Sequence, residues 1–294
     1  MLIDQRKFLL RDDTRDLWAK WIGFKPRSTV VDVGCGLGYL GYTFWPFFGQ
    51  ESMYIGVDIR NGLLEAGQNL SKEWAIGGAT EFILGDAYSL PLPDNAVDLA
   101  MCQIVLIHLQ DPKLALSEMM RVVRPGGAVV CVEPDNLSNA LMKVHWSLPD
   151  LSIEDELLNR KIQLIAARGR IKLGRGDNSF GNKVPIVMNE LGLEEIDIRT
   201  NDRVRYLYPP YENEMQQNLL EMISKYHLDE KTYAALRERL KEEFQAGGGS
   251  PEDLEKYLSE SDRLRPTLQE QIESRKYKTA GGGFVYITKG RKPS

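Results

Sequence analysis

The stretch Val31-Asp32-Val33-Gly34-Cys35-Gly36-Leu37-Gly38 constrains this chain more than any other. A short apolar run passes into three glycines within five positions, and a helical stretch follows. Glycine lets the backbone turn sharply and approach a ligand with no Cβ in the way. A helix opening there offers unpaired N–H groups to a negative group. A simple change of direction needs neither that many glycines nor the acid Asp58, which ends the next apolar run 22 residues after Gly36. That spacing suits hydrogen bonds to ribose hydroxyls.

The same alternation continues for the first half of the chain. Residues 29–33, 54–58, 81–84, 97–103 and 128–133 read as strands, with helices near 37–45, 63–74 and 112–123. Asp111 and Pro112 suit the N-cap and first turn of the last helix. Strands that are apolar throughout and separated by helices imply parallel pairing with both faces covered. The expected fold is therefore α/β, a doubly wound, mostly parallel sheet with right-handed crossovers. After Glu133 the pattern changes. A helix at 153–168, a glycine-rich loop at 173–183, a short helix at 184–191 and a strand at 194–200 precede a mostly helical stretch, 201–280. A final strand at 284–288 makes that stretch an insertion. The expected organisation is an N-terminal lid helix (1–27), a cofactor-binding core (28–135), a lid insertion (136–180), a core helix and strand (181–200), a helical insertion (201–280) and a final strand with tail (281–294).

Composition narrows the function. A net charge of −5 over 294 residues argues against a nucleic-acid partner, which needs a basic surface. Cys35, Cys102 and Cys131 have no ligand-like spacing and the three histidines are scattered, so neither a metal site nor a disulfide framework is expected. The first residues have no signal-peptide pattern, and no apolar run reaches membrane-spanning length, which points to a cytoplasmic protein with no membrane partner. No oligomeric state follows from the sequence.

Two cofactors fit the glycine loop. Gly36, Gly38 and Gly41 satisfy the dinucleotide spacing, which suits a nicotinamide cofactor and an oxidoreductase. Asp32, however, would repel a pyrophosphate. S-adenosylmethionine has no phosphate; its sulfonium and ammonium favour an acidic neighbourhood, and its carboxylate suits the helix N-terminus. The residues tilt toward S-adenosylmethionine and leave both readings standing.

Several motifs in order carry a resemblance. They are the loop at 30–39, the strand 54–59 ending in Asp58-Ile59, Gly85-Asp86-Ala87 followed by 90–94, the strand and exit from Val97 to Leu109, and the stretch from Glu118 to Gly127. Through them the chain resembles the class I S-adenosylmethionine-dependent methyltransferases, within them the small-molecule group that includes the ubiquinone/menaquinone-biosynthesis enzymes. The resemblance covers residues 28–135 well and 181–200 and 284–288 weakly; 136–180 and 201–280 match no known pattern.

The resemblance implies a Rossmann-like, seven-stranded sheet with an antiparallel final strand and helical lid insertions. It implies methyl transfer from S-adenosylmethionine to a small-molecule acceptor, with S-adenosylhomocysteine as product. Gly34, Cys35 and Gly36 would line the methionine end and Asp32 would orient it. Asp58 would accept from the ribose, Ile59 would pack on the adenine, and Asp86 with the Ala87 N–H would read the adenine edge. Gln103 would sit near the ammonium and the transferring methyl. His108 and Glu133 are the candidate catalytic groups, His108 as a base for a hydroxyl or a protonated amine; the family often shows two adjacent histidines there, and Ile107 holds the first position. The plainer readings are turn caps for Asp58 and Asp86, a brace of the turn before Asp111-Pro112 for His108, and core packing for Cys35 and Cys102; Glu133 could orient His108, bind substrate or accept backbone hydrogen bonds near Pro134-Asp135-Asn136. On the substrate side, Trp18, Trp21, Trp146, Arg168, Arg170, Lys172, Arg175, Arg203, Arg205, Tyr206 and Tyr208 would suit a planar or anionic molecule; the plainer reading makes them core and solvated surface. A non-catalytic S-adenosylmethionine-binding module is the rival outside the enzymes.

Overall fold

Apolar residues on both sides of a strand are buried only when helices cover both faces of its sheet. The computed structural model, which describes residues 11–49, 51–74, 78–142, 145–202 and 204–294, has that arrangement. Its strands are β1 (Thr29–Val33), β2 (Met53–Asp58), β3 (Ala79–Leu84), β4 (Val97–Gln103), β5 (Val123–Pro134), β6 (Glu194–Thr200), β7 (Tyr206–Leu207), β8 (Thr279–Ala280) and β9 (Val285–Arg291). Its helices are α1 (Arg15–Ile22), α2 (Tyr39–Phe48), α3 (Asn61–Ser71), α4 (Pro112–Val122), α5 (Asn136–Leu141), α6 (Ile153–Lys172), α7 (Val184–Glu190), α8 (Glu214–His227), α9 (Glu230–Ala246) and α10 (Pro251–Glu273). The described residues group into two units. The first runs to Asp135 and takes in 179–202 and Val285–Ser294; the second is Asn136–Asn178 with Val204–Phe284.

The first unit is a seven-stranded sheet of order β3-β2-β1-β4-β5-β9-β6. β1 to β5 pair in parallel, and β9 runs antiparallel to both β5 and β6. Alternate residues of β1 to β5 enter two separate cores. Val31, Val33, Ala100, Cys102 and Cys131 meet Leu116 and Met119 of α4 and Met188 of α7. Val30, Tyr54, Met101 and Val130 meet Trp18 and Trp21 of α1 and Phe44, Trp45 and Phe48 of α2. The doubly wound, mostly parallel seven-stranded fold expected from the sequence is present. Trp18 and Trp21 are core side chains, which excludes them from the substrate surface considered above.

Local signals fix several ends. Gly38 (φ +80) turns the chain into α2, and Asp111 accepts the Leu114 N–H at 3.1 Å to cap α4. β5 starts at Val123, earlier than residue 128, because Arg124 pins the Pro-Gly-Gly segment. Its guanidinium donates to the carbonyls of Asn95 and Ala96 and to Asp98. Val97 can then pair with Val123 ahead of the regular register.

In the second unit, α8, α9 and α10 are capped by Asn213, Asp229 and Ser250. β7 and β8 close a two-residue ladder, Tyr206 to Ala280. α6 crosses α9 so closely that a Cβ on Gly169 would lie 1.6 Å from the Glu243 carbonyl oxygen. Arg170 is buried there, 3.4 Å from the Glu243 carboxylate, and is no part of a solvated basic run. Trp146 is 79% exposed. Arg203 lies outside the described residues.

Candidate active site

In an open α/β sheet the ligand crevice forms at the carboxyl edge where strand order reverses. Here the reversal lies between β1 and β4, so the glycine loop and the exit of β4 flank it. Gly34, Gly36 and Gly38 all have positive φ. The N–H groups of Gly34 and Cys35 both donate to the Val57 carbonyl, at 2.7 and 3.0 Å, which ties the loop to the end of β2.

Asp58 completes that tie. Its Oδ2 accepts the Gly36 N–H at 2.9 Å and its Oδ1 accepts the Arg60 N–H at 2.9 Å. A carboxylate offers about four lone-pair directions, so each oxygen can accept again. Asp58 is thus a buried turn brace whose oxygens keep lone pairs for a second acceptance, Oδ1 also facing Arg60 Nε at 3.5 Å. Ile59 beside it is 69% exposed, and Leu84, the register partner of Asp58 on β3, is also exposed. Two large apolar side chains left in water at one edge suit the flat face of a heterocycle. Leu84 was missed in the sequence, where its one signal is its place as the last residue of the third strand.

Asp86 is exposed. One carboxylate oxygen accepts the Tyr88 N–H at 2.9 Å in an Asx turn, leaving the other, and Ala87 is half-buried against the core. Asp32 is buried and accepts from the Tyr54 hydroxyl at 2.8 Å. Cys35 is buried with its thiol 3.6 Å from the Gly36 carbonyl, which supports the packing reading.

Gln103 ends β4 and is 4% exposed. Among the described residues its Oε1 has no hydrogen-bond partner. A buried acceptor without a donor is costly, about 1–3 kcal/mol. A donor arriving in the crevice, such as an ammonium, would meet that need.

The exit of β4 is strained and braced. Ile104 adopts φ +56, an uncommon conformation for a β-branched residue and typical of functional sites. The chain then enters the 3-10 turn Leu106–His108. Glu133, at the end of β5, accepts the N–H groups of Val105 and Leu106 on Oε1 at 2.8 and 3.0 Å and that of Ile107 on Oε2 at 3.4 Å. The Cys102 thiol lies 3.7 Å from Oε1. Glu133 is fully buried. Burial raises its pKa to about 7, against the opposing pull of the three backbone N–H groups. Glu133 holds the turn that carries His108, and its oxygens face backbone donors. His108 itself is exposed at the end of that turn, its N–H on the Val105 carbonyl at 2.9 Å.

Gly34 shows how tightly the two loops meet. A Cβ there would lie 2.5 Å from Val105 Cγ2, and its φ of +66 suits glycine. Gly34→Ala is expected to cost about 1–3 kcal/mol of stability in denaturant titration. Val105→Ala added to it should recover the steric part, leaving only the backbone strain.

Among the described residues no group of three or more His, Cys, Asp or Glu could hold a metal ion, and no helix is long and apolar enough to cross a membrane.

Comparison with known proteins bears on the fold. Residues 31–131 match the family model described as a methyltransferase domain. An uncharacterized methyltransferase of Schizosaccharomyces pombe is 42% identical over 119 residues, 39% of this chain and 42% of its own length. A ubiquinone/menaquinone biosynthesis C-methyltransferase of Hahella chejuensis is 30% identical over 140 residues, 46% of this chain and 56% of its own. The chain spans about half the length of the curated relatives it matches. A candidate methyltransferase from Bacillus halodurans C-125 shares the fold with a TM-score of 0.50 at 16% identity, over 96% of this chain and 100% of its own.

Proposed function

We propose that this chain, whose residues 31–131 belong to the class I S-adenosylmethionine-dependent methyltransferase family, transfers a methyl group to a small-molecule acceptor. S-adenosylmethionine is the cofactor of this family and supplies a methyl carbon activated by the adjacent sulfonium. The observation that carries the reading is the buried, unpartnered Oε1 of Gln103 at the switch point, an acceptor that suits the cofactor's ammonium. Asp58 accepts from the ribose hydroxyls. Ile59 and Leu84 pack on the adenine, and the second carboxylate oxygen of Asp86, with the Ala87 N–H, reads its edge. Gly34, Cys35 and Gly36 line the methionine end, and Asp32 adds negative potential beneath it.

A small acceptor is supported by the ubiquinone/menaquinone C-methyltransferases among the relatives and by the net charge of −5, which disfavours a phosphate-rich substrate. Alignment of nucleophile and methyl can supply about 7–11 kcal/mol of the barrier. His108, exposed at the β4 exit, accepts the proton of a hydroxyl or ammonium acceptor. Glu133 is a positioning residue for that turn.

The test is calorimetric titration with S-adenosylhomocysteine, with NADH in parallel. Saturable binding of S-adenosylhomocysteine alone is expected; binding of NADH alone would overturn the reading. An acceptor screen with methyl-labelled cofactor then gives a rate. For a hydroxyl acceptor, His108→Ala should lower kcat about 10²–10⁴-fold with S-adenosylhomocysteine affinity unchanged. Full turnover in that variant would leave His108 as a turn residue only.

A further inference from the structure

The second unit holds a cavity of about 220 Å³, lined by none of the residues placed at the glycine loop or the β4 exit. The segment around Leu148, α6, the end of α8, the start of α9, and α10 form its walls, and it opens to solvent on one side. Five rings line it: His145, His227, Tyr233, Tyr257 and Tyr277. Leu148, Leu264 and Leu268 complete an apolar floor. The rings are held from outside. The Tyr277 hydroxyl shares a 2.8 Å hydrogen bond with His145 Nδ1, and the Tyr233 hydroxyl donates to Asp262 at 2.9 Å. Arg265 stacks 4.3 Å over the Tyr233 ring.

Charges at the rim are already matched. Arg265 donates to the His227 and Leu228 carbonyls and pairs with Glu230 at 2.8 Å. Glu260 pairs with Arg263 at 2.5 Å. The cavity therefore offers no spare charge to an ion. Two neutral polar groups are different. Among the described residues, neither the half-buried Asn159 amide nor the Tyr257 hydroxyl has a hydrogen-bond partner, and both line the cavity. Burial also keeps the Tyr257 phenol protonated, raised above its ordinary value, so it stands ready to donate. Size fixes the scale: an apolar cavity of roughly 150 Å³ takes benzene, so this one holds a single ring with a substituent.

We infer that the second unit binds a neutral, single-ring aromatic molecule, its ring among the tyrosines and its hydrogen-bonding substituent on Asn159 and Tyr257. This site shares no lining residue with the cofactor crevice, and the inference stands whether or not the methyl-transfer reading does.

The probe is phenol, titrated into the full chain and followed by side-chain methyl resonances in NMR, with toluene and cyclohexanol as controls. Phenol should bind saturably and shift resonances of Leu264 and Leu268. Toluene lacks the hydroxyl and cyclohexanol lacks the flat ring, so both should bind more weakly. Tyr257→Phe keeps the ring and removes one hydrogen bond; it should weaken phenol roughly 2- to 12-fold and leave toluene unchanged. Leu264→Trp should fill the cavity and abolish both. No saturable phenol binding, equal binding of cyclohexanol, or phenol binding untouched by Tyr257→Phe would each overturn the proposal.

Discussion

Asp58→Ala is expected to weaken S-adenosylhomocysteine binding at least about 100-fold while the chain stays folded. Two losses combine. The variant removes an acceptor for two ribose hydroxyls, each charge-assisted bond contributing about 1.5–3 kcal/mol. It also releases the Gly36 N–H, now held at 2.9 Å, and with it the link between the glycine loop and β2. The remaining ties of that loop, from Gly34 and Cys35 to the Val57 carbonyl, are backbone bonds and survive. Asp58→Asn separates the losses. It keeps one oxygen acceptor of similar shape, so it should preserve part of the affinity. Calorimetry on both variants, with circular dichroism to confirm folding, decides the matter. Unchanged affinity in Asp58→Ala would remove Asp58 from the site.

The features that were legible in the sequence are local ones. Whole-strand apolarity announces a sheet covered on both faces, and β1 to β5 alternate between two cores as that requires. The glycine loop and Asp58 lie one βα unit apart, so their spacing alone encodes their meeting. What escaped the sequence depends on which strands are neighbours. The end of a strand at the ligand edge leaves Glu133 open to catalysis, to orienting His108 or to bracing the backbone. Its role follows from β4 lying beside β5, with Gln103 paired to Val132, which sets the carboxylate under the β4 exit. The orphaned Gln103 oxygen is equally invisible, since a sequence names a polar group without telling what faces it. Trp18 and Trp21 show the same limit: a helix shows its aromatic residues in sequence, but only the fold shows which body they face. Arg170 sat in an apparent basic run, and the crossing at Gly169 buries it on Glu243.

Glu133→Ala is expected to destabilise the chain by about 3 kcal/mol at pH 5, and by much less at pH 8. The variant strands the Val105 and Leu106 N–H groups in a buried site, at about 1–3 kcal/mol each. The pH trend comes from the charge. Burial raises the Glu133 pKa to about 7 in the folded chain, above the ordinary value of about 4.3 in the unfolded one. Between those values the folded state binds the extra proton. Stability from this group is therefore fully present below about pH 4.3 and is lost as pH rises through 7. The alanine variant has no such group, so its stability curve lacks that slope and the two curves converge at higher pH. Glu133→Gln keeps a neutral acceptor for Val105 and Leu106 and should track the wild type at pH 5 without the decline. Denaturant titrations of the three proteins at pH 5, 6, 7 and 8 read this directly. A cost of Glu133→Ala that grows with pH would show the opposite, that the three N–H groups outweigh burial and hold the carboxylate charged. The same titration would then reach function, because His108 sits at the end of the turn whose first N–H groups Glu133 accepts.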